Sequence, residues 1–162
     1  TFTYPNQTDF SKQNKNSTNF DCEAMIATDN ELLLFTKQWH SKQTTVYRLP
    51  KSNGIHTAEI LATLNVKGLI TGATYYPEKN LIALCGYSKK LKPFIYLIFD
   101  LNNLDFQKAN QRKIQLKLPF HQVEAISTIN GVDFYLTNER FSQKIIGTIE
   151  QQFHHFSLDF FK

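Results

Sequence analysis

The chain is poor in the residues that cross-link, redox and metal proteins depend on. Among 162 residues there are two cysteines, one methionine and one tryptophan. No Cys-x-x-Cys spacing occurs, so nothing points to a zinc site. Cys22 and Cys85 fall on strands of different repeats. They read as two buried thiols rather than a disulfide, because free cysteine packs as a small core residue. No apolar run approaches the about 20 residues needed to span a bilayer. The segment from Thr1 carries no signal-peptide pattern. Nor is there a phosphate-cradling glycine loop, a nucleophile beside its base, or an acid and base at a recognisable spacing. The net charge of +4 is spread along the chain and is densest at Lys89, Lys90 and Lys92. Without a basic stripe or a recognition motif, nucleic-acid binding is not expected. His154 and His155 are adjacent on a predicted strand, point to opposite faces and cannot chelate one ion together. His40 and His121 fall in predicted loops, and the two Asn-x-Thr sequons at Asn6 and Asn16 read as chance matches.

What the chain does have is repetition. Segments beginning at Glu23, Gly72 and Glu124 each lead through a turn into an apolar run, with a period of roughly 50 residues. A gap-free superposition sets Leu32 to Thr36 over Leu81 to Cys85 and over Asp133 to Thr137. The intervening turns carry the Asn, Asp, Gly and Pro that tight turns require. A third strand is predicted at 44–49, 93–101 and 144–150, and a fourth at 56–64, 112–118 and 153–160. The second strand of each unit is almost unbroken in its apolarity, as in a sheet covered on both faces. The fourth alternates, as in Lys113-Ile114-Gln115-Leu116-Lys117-Leu118, so one of its faces meets solvent.

Buried inner strands and half-wet outer strands in repeated four-stranded units describe a β-propeller. An ordinary sandwich or meander is the competing architecture. The expected fold is all-β: three four-stranded antiparallel blades at 22–64, 70–118 and 122–160, preceded by a long loop at 5–21. Leu33, Phe35, Ile82, Leu84, Phe134 and Leu136 are expected in buried layers between blades. Phe2 and Tyr4 alternate with Thr1 and Thr3, so 1–4 reads as an orphan outer strand of a missing blade. Propellers close with four to eight blades, so three make half of a six-bladed ring. The expected partner is the missing half or a second copy, which would cover two apolar blade faces otherwise left bare.

The runs Thr1 to Phe10, Asn19 to Met25, Leu34 to Trp39 and Thr45 to Tyr47 resemble the second half of an uncharacterised family of bacterial extracytoplasmic proteins with six-bladed, TolB-like propellers. The resemblance covers essentially the whole chain. It implies that fold and a periplasmic, surface-anchored or secreted location, but no activity. A more distant similarity, through Asp21-Cys22-Glu23-Ala24, is to phytase-like and gluconolactonase-like propellers, whose inner-strand acidic residues hold calcium. Gly72 departs from that pattern and interrupts the acidic ring.

Up-and-down topology gathers 5–21, 38–43, 87–93, 119–122 and 138–143 at one end of the blades. The long loop 5–21 there suits a binding role, or simple mobility. The expected ligand contacts are Lys37, Trp39, His40, Asn138 and Arg140, with Trp39 either an anchor for a sugar, peptide or protein or a cap on the core. Counting back from each turn sets Glu23 opposite Thr36, Gly72 opposite Cys85 and Glu124 opposite Thr137. The two Glu and Thr pairs read as internal structural pairs. Alternatively, Asp21, Glu23 and Glu124 offer oxygen ligands to calcium, with Gly72 leaving space for water or ligand between them. The function expected is a non-enzymatic scaffold that binds a protein or small molecule on this loop face. The alternative is a calcium-dependent phytase-like or lactonase-like hydrolase completed by residues of the missing blades.

Overall fold

A computed structural model describes residues 1–11, 14–145 and 147–159. The fold is all-β: β1 (Phe2–Thr3), β2 (Asp21–Ala27), β3 (Glu31–Lys37), β4 (Thr44–Pro50), β5 (His56–Thr57), β6 (Glu59–Leu64), β7 (Leu69–Tyr76), β8 (Leu81–Tyr87), β9 (Pro93–Phe99), β10 (Asn110–Gln115), β11 (Val123–Thr128), β12 (Asp133–Asn138), β13 (Phe141–Gln143), β14 (Gly147–Ile149) and β15 (Gln152–Ser157). One 3-10 turn at Pro77–Lys79 joins β7 to β8. Among the described residues no helix is long and apolar enough to cross a membrane.

Two sheets have the predicted four antiparallel strands, in the orders β2-β3-β4-β6 and β7-β8-β9-β10. The third differs: its order is β11-β12-β15, and it has three strands among the described residues. The segment expected as its third strand, 144–150, instead lies partly in a separate hairpin, β13-β14. That leaves the segment expected as the fourth strand to pair directly with β12, through Leu136↔His154 and Phe134↔Phe156. Burial marks the difference: Phe156 and Leu158 pack against the apolar core, whereas no described residue of 141–149 is buried. The last residue of the predicted strand, Phe160, lies outside the described residues.

The sheets pack side by side along their first strands: β2 and β3 lie against β7, and β11 lies against β7 and β8. The second sheet is therefore covered on both faces. Alternate residues of β8 feed two different cores: Ile82 and Leu84 pack with Leu33, Phe35, Val46 and Phe94, while Leu81, Ala83 and Cys85 pack with Val123, Phe134 and Leu136. The six layer residues expected from the repeats are all at most 1% exposed. Cys85 is buried as expected, but Cys22 is exposed, because it sits where β2 bulges beyond the cover of its neighbour; both thiols are free.

The orphan strand also departs from expectation. β1 pairs in parallel with β5, next to the first sheet, rather than standing apart. Burial of aromatic area holds it there: Tyr4 packs on Tyr47 at 4.5 Å between ring centroids and on Phe20 at 5.6 Å. With Leu34, Leu49 and Ala58 these rings form a small core on the outer face of the first sheet. That face, expected to be bare, is covered by the chain's own N-terminal segment.

Candidate functional site

Each first strand carries a β-bulge near its start, at Glu23, Thr71 and Glu124. A bulge leaves one residue without a cross-strand partner and re-aims its side chain. The hairpin alignment of the sequence is therefore off by one residue. Gly72 does oppose Cys85, but Thr36 opposes Cys22 and Thr137 opposes Ala125. The Glu and Thr pairs do not exist, since both glutamates sit in bulges. The residue equivalent to Glu23 and Glu124 is Thr71, the bulged residue of β7. Gly72 does not leave a space either. A Cβ there would lie 2.9 Å from the Glu124 carbonyl oxygen and 3.2 Å from Ala125 Cα, so the glycine lets β7 and β11 touch.

The bulges and the ends of β3 and β8 meet at the predicted loop end. The Lys37 side chain is only 6% exposed, and its ammonium lies 2.8 Å from Glu23 Oε2. It also sits 4.9 Å from the Trp39 ring centroid and 5.3 Å from that of Tyr87, within cation–π range. Trp39 Nε1 donates to Asp21 Oδ2 at 3.1 Å. Thr71 donates its hydroxyl to the Val123 carbonyl at 2.5 Å, tying β7 to β11 beneath the cluster. Glu124 is half-buried and accepts no hydrogen bond among the described residues.

Electrostatics separates these groups. Burial pulls the Lys37 pKa down, but the Glu23 bond and the nearby Tyr87, Glu23 and Glu124 outweigh it, so the ammonium is held above its usual value. Burial raises the Glu23 carboxyl, against the pull of Lys37 and with the push of Asp21. Glu124 is pushed up to about 7: burial is the largest cause, and the charges of Glu23 and Glu139 add to it against the attraction of Lys37. Burial likewise raises the Tyr87 phenol. A carboxyl that exchanges its proton near neutrality therefore lies within electrostatic reach of the Lys37 ammonium and the Tyr87 phenol.

Of the residues expected at this end, Asp21, Glu23, Lys37 and Trp39 come together, and Glu124 is close enough to feel the charges of Lys37 and Glu23. His40 is exposed beside them, its backbone N–H bound by Asn19. Asn138 and Arg140 are engaged elsewhere. The buried Asn138 amide donates to the Glu139 and Glu150 carbonyls, and Arg140 pairs with the Glu150 carboxylate at 3.2 Å, so both brace the β13-β14 hairpin. As for calcium, no three His, Cys, Asp or Glu side chains among the described residues are grouped to hold a metal ion. Asp21 and Glu23 are already bonded to Trp39 and Lys37.

Sequence reasoning missed Tyr87 and Thr71. The gap-free superposition sets Gly86 over Lys37 and Gly72 over Glu23, so each structural equivalent lies one residue away from its place in the repeat. Beside the cluster, Trp39, Leu69, Tyr87, Lys89, Leu91, Gln122 and Asn16 line a shallow groove of about 390 Å³. Comparison decides no family. Searches against protein-family models, curated proteins and solved structures find nothing that matches the chain.

Proposed function

We propose that this chain is a non-enzymatic binding module, and that its ligand is received at the loop end by Lys37, Trp39, Tyr87 and Glu124. The observation that carries this reading is the Lys37 ammonium, fixed on Glu23 between two aromatic rings while the neighbouring Glu124 carboxyl accepts no hydrogen bond among the described residues. Preorganised aromatic surface beside an unsatisfied polar group suits a ligand with an apolar or ring face and a hydroxyl or amine for Glu124. The opposing charges of Lys37 and Glu23 are engaged with each other, which favours recognition over proton transfer. His40 and the groove residue Gln122 lie at its rim.

In this reading the three sheets are successive blades of a propeller of the six-bladed, TolB-like kind, with β2, β7 and β11 nearest the axis. The side-by-side packing of those three strands supports it. Further blades would come from elsewhere in a longer chain or from a second copy. The extracytoplasmic setting rests on the resemblance to that family of the runs Thr1 to Phe10, Asn19 to Met25, Leu34 to Trp39 and Thr45 to Tyr47.

Trp39 is the chain's only tryptophan, so its emission reports on this site alone. A screen of sugars, amines and short peptides should yield a ligand that shifts Trp39 fluorescence and whose affinity drops at least tenfold in Glu124→Gln and in Tyr87→Ala. A ligand that binds equally well to both variants would place recognition elsewhere.

A further inference from the structure

The third sheet ends on an open strand edge. In the other two sheets the third strand is covered by a fourth, β6 on β4 and β10 on β9, both antiparallel. No fourth strand covers β15 among the described residues. The pairing pattern says which backbone groups are left over. Leu158 N–H bonds the Val132 carbonyl, so Phe156 and His154 also point their backbone groups at β12. Phe153, His155 and Ser157 then point their N–H and C=O groups outward, as a ready template for another strand.

Beside this edge lies a groove of about 580 Å³, between β15 and the end of the second sheet. Its floor is apolar, with Leu116, Leu118, Leu136 and Phe156. Its remaining lining includes Lys117, His154 and His155, and no carboxylate. The first sheet shows how such a position is filled. There β6 turns Ala62 and Leu64 inward, and its Glu59 carboxylate is gripped by Arg48 of the neighbouring third strand.

We propose that the β15 edge binds an extended peptide from a partner protein, added antiparallel as a fourth strand, with alternating apolar side chains seated on Leu116, Leu136 and Phe156 and a carboxylate directed to Lys117. Main-chain hydrogen bonds to Phe153, His155 and Ser157 supply affinity, and the apolar floor with Lys117 at its rim supplies selectivity. This inference stands apart from the loop-end ligand reading.

The probe is a synthetic peptide with the sequence of residues 57–65, which has the alternation of β6 and a single carboxylate side chain at Glu59. Two-dimensional NMR with amide exchange should show the Phe153, His155 and Ser157 amides exchanging freely without peptide and at least tenfold more slowly with it. Phe153→Pro removes an outward donor while leaving the β12 ladder intact, as edge strands tolerate, and should weaken binding at least tenfold. Phe153→Ala, which keeps that donor, should retain the bulk of the affinity. A peptide methylated on alternate backbone nitrogens, read against the unaltered protein, should lose binding to the same extent. Replacing the peptide's carboxylate with lysine should weaken it severalfold, and Lys117→Glu should reverse that preference. Any of four results would overturn the proposal: no peptide binding at millimolar concentration, equal binding to Phe153→Pro and to the methylated peptide, outward amides already protected without peptide, or a dimer that Phe153→Pro abolishes. The third would mean that the chain covers its own edge, and the fourth that a second copy does.

Discussion

The second and third sheets are built from the same hairpin, yet one is enclosed and the other is open. In the second sheet, β8 is buried along its whole length and β9 along nearly all of it, because neighbouring sheets cover both faces. In the third, β12 is buried only at alternate positions, Phe134, Leu136 and Asn138, and its other face carries Tyr135 stacked between Phe153 and His155 in view of solvent. An identical local motif thus acquires different energetics from its neighbours. Apolar residues on β8 are stabilising on both faces, whereas those on β15 contribute on one only.

Substitutions should expose the difference. Phe94 is fully buried between the first and second sheets. Phe94→Ala should cost about 3–5 kcal/mol in denaturant unfolding. If the loss were under about 1 kcal/mol, the second sheet would not be the packed centre described here. Next in size is Lys37→Ala, which strips the Glu23 carboxylate of its partner at the junction of the first and second sheets. Glu23 is 30% exposed, so the cost should fall below that of a fully buried pair, at about 1–3 kcal/mol. The double change Lys37→Met with Glu23→Leu should recover much of it, measured by the same unfolding curves.

Glu124 sharpens the comparison at the junction of the second and third sheets. Its native pKa, about 7, lies above the unfolded value of about 4.5, so the native state holds the proton more tightly. Its contribution to stability is then complete below about pH 4.5 and is lost as pH rises through about 7. Melting temperature followed from pH 4 to 8 should fall across that window, and Glu124→Gln should flatten the fall and melt higher than the parent at pH 8. A parallel decline in both proteins would assign the titration to another group. The smallest effect belongs to the open face: Phe153→Ala, at a residue 68% exposed, should change stability by within about 0.5 kcal/mol.

Much of the fold was legible in the chain itself. The unbroken apolarity of 32–36 and 81–85 marked strands covered on both faces, and period and turn residues marked the hairpins, because both signals are local. The loop end was legible too, since strand alternation alone brings Asp21, Glu23, Lys37 and Trp39 to one end. The precise partners were not. A bulge shifts a register by one residue without changing composition, so Glu23 and Glu124 seemed to face threonines, and Thr71 and Tyr87 went unnoticed. The third unit misled for a related reason: 144–150 carries three isoleucines and reads as a strand, but only burial against β12 distinguishes a sheet member from an excursion.

The sequence by itself determined an all-β chain of repeated hairpins and which residues would be core, because periodicity and turn chemistry act between near neighbours. The tertiary structure alone decided three things: that β15 rather than β13 or β14 joins the third sheet, that Gly72 is filled by the β11 backbone, and that the Lys37 ammonium pairs with Glu23. Each depends on which surfaces meet after the hairpins form, and that choice is set by burial and desolvation across distances in the chain that no local pattern records.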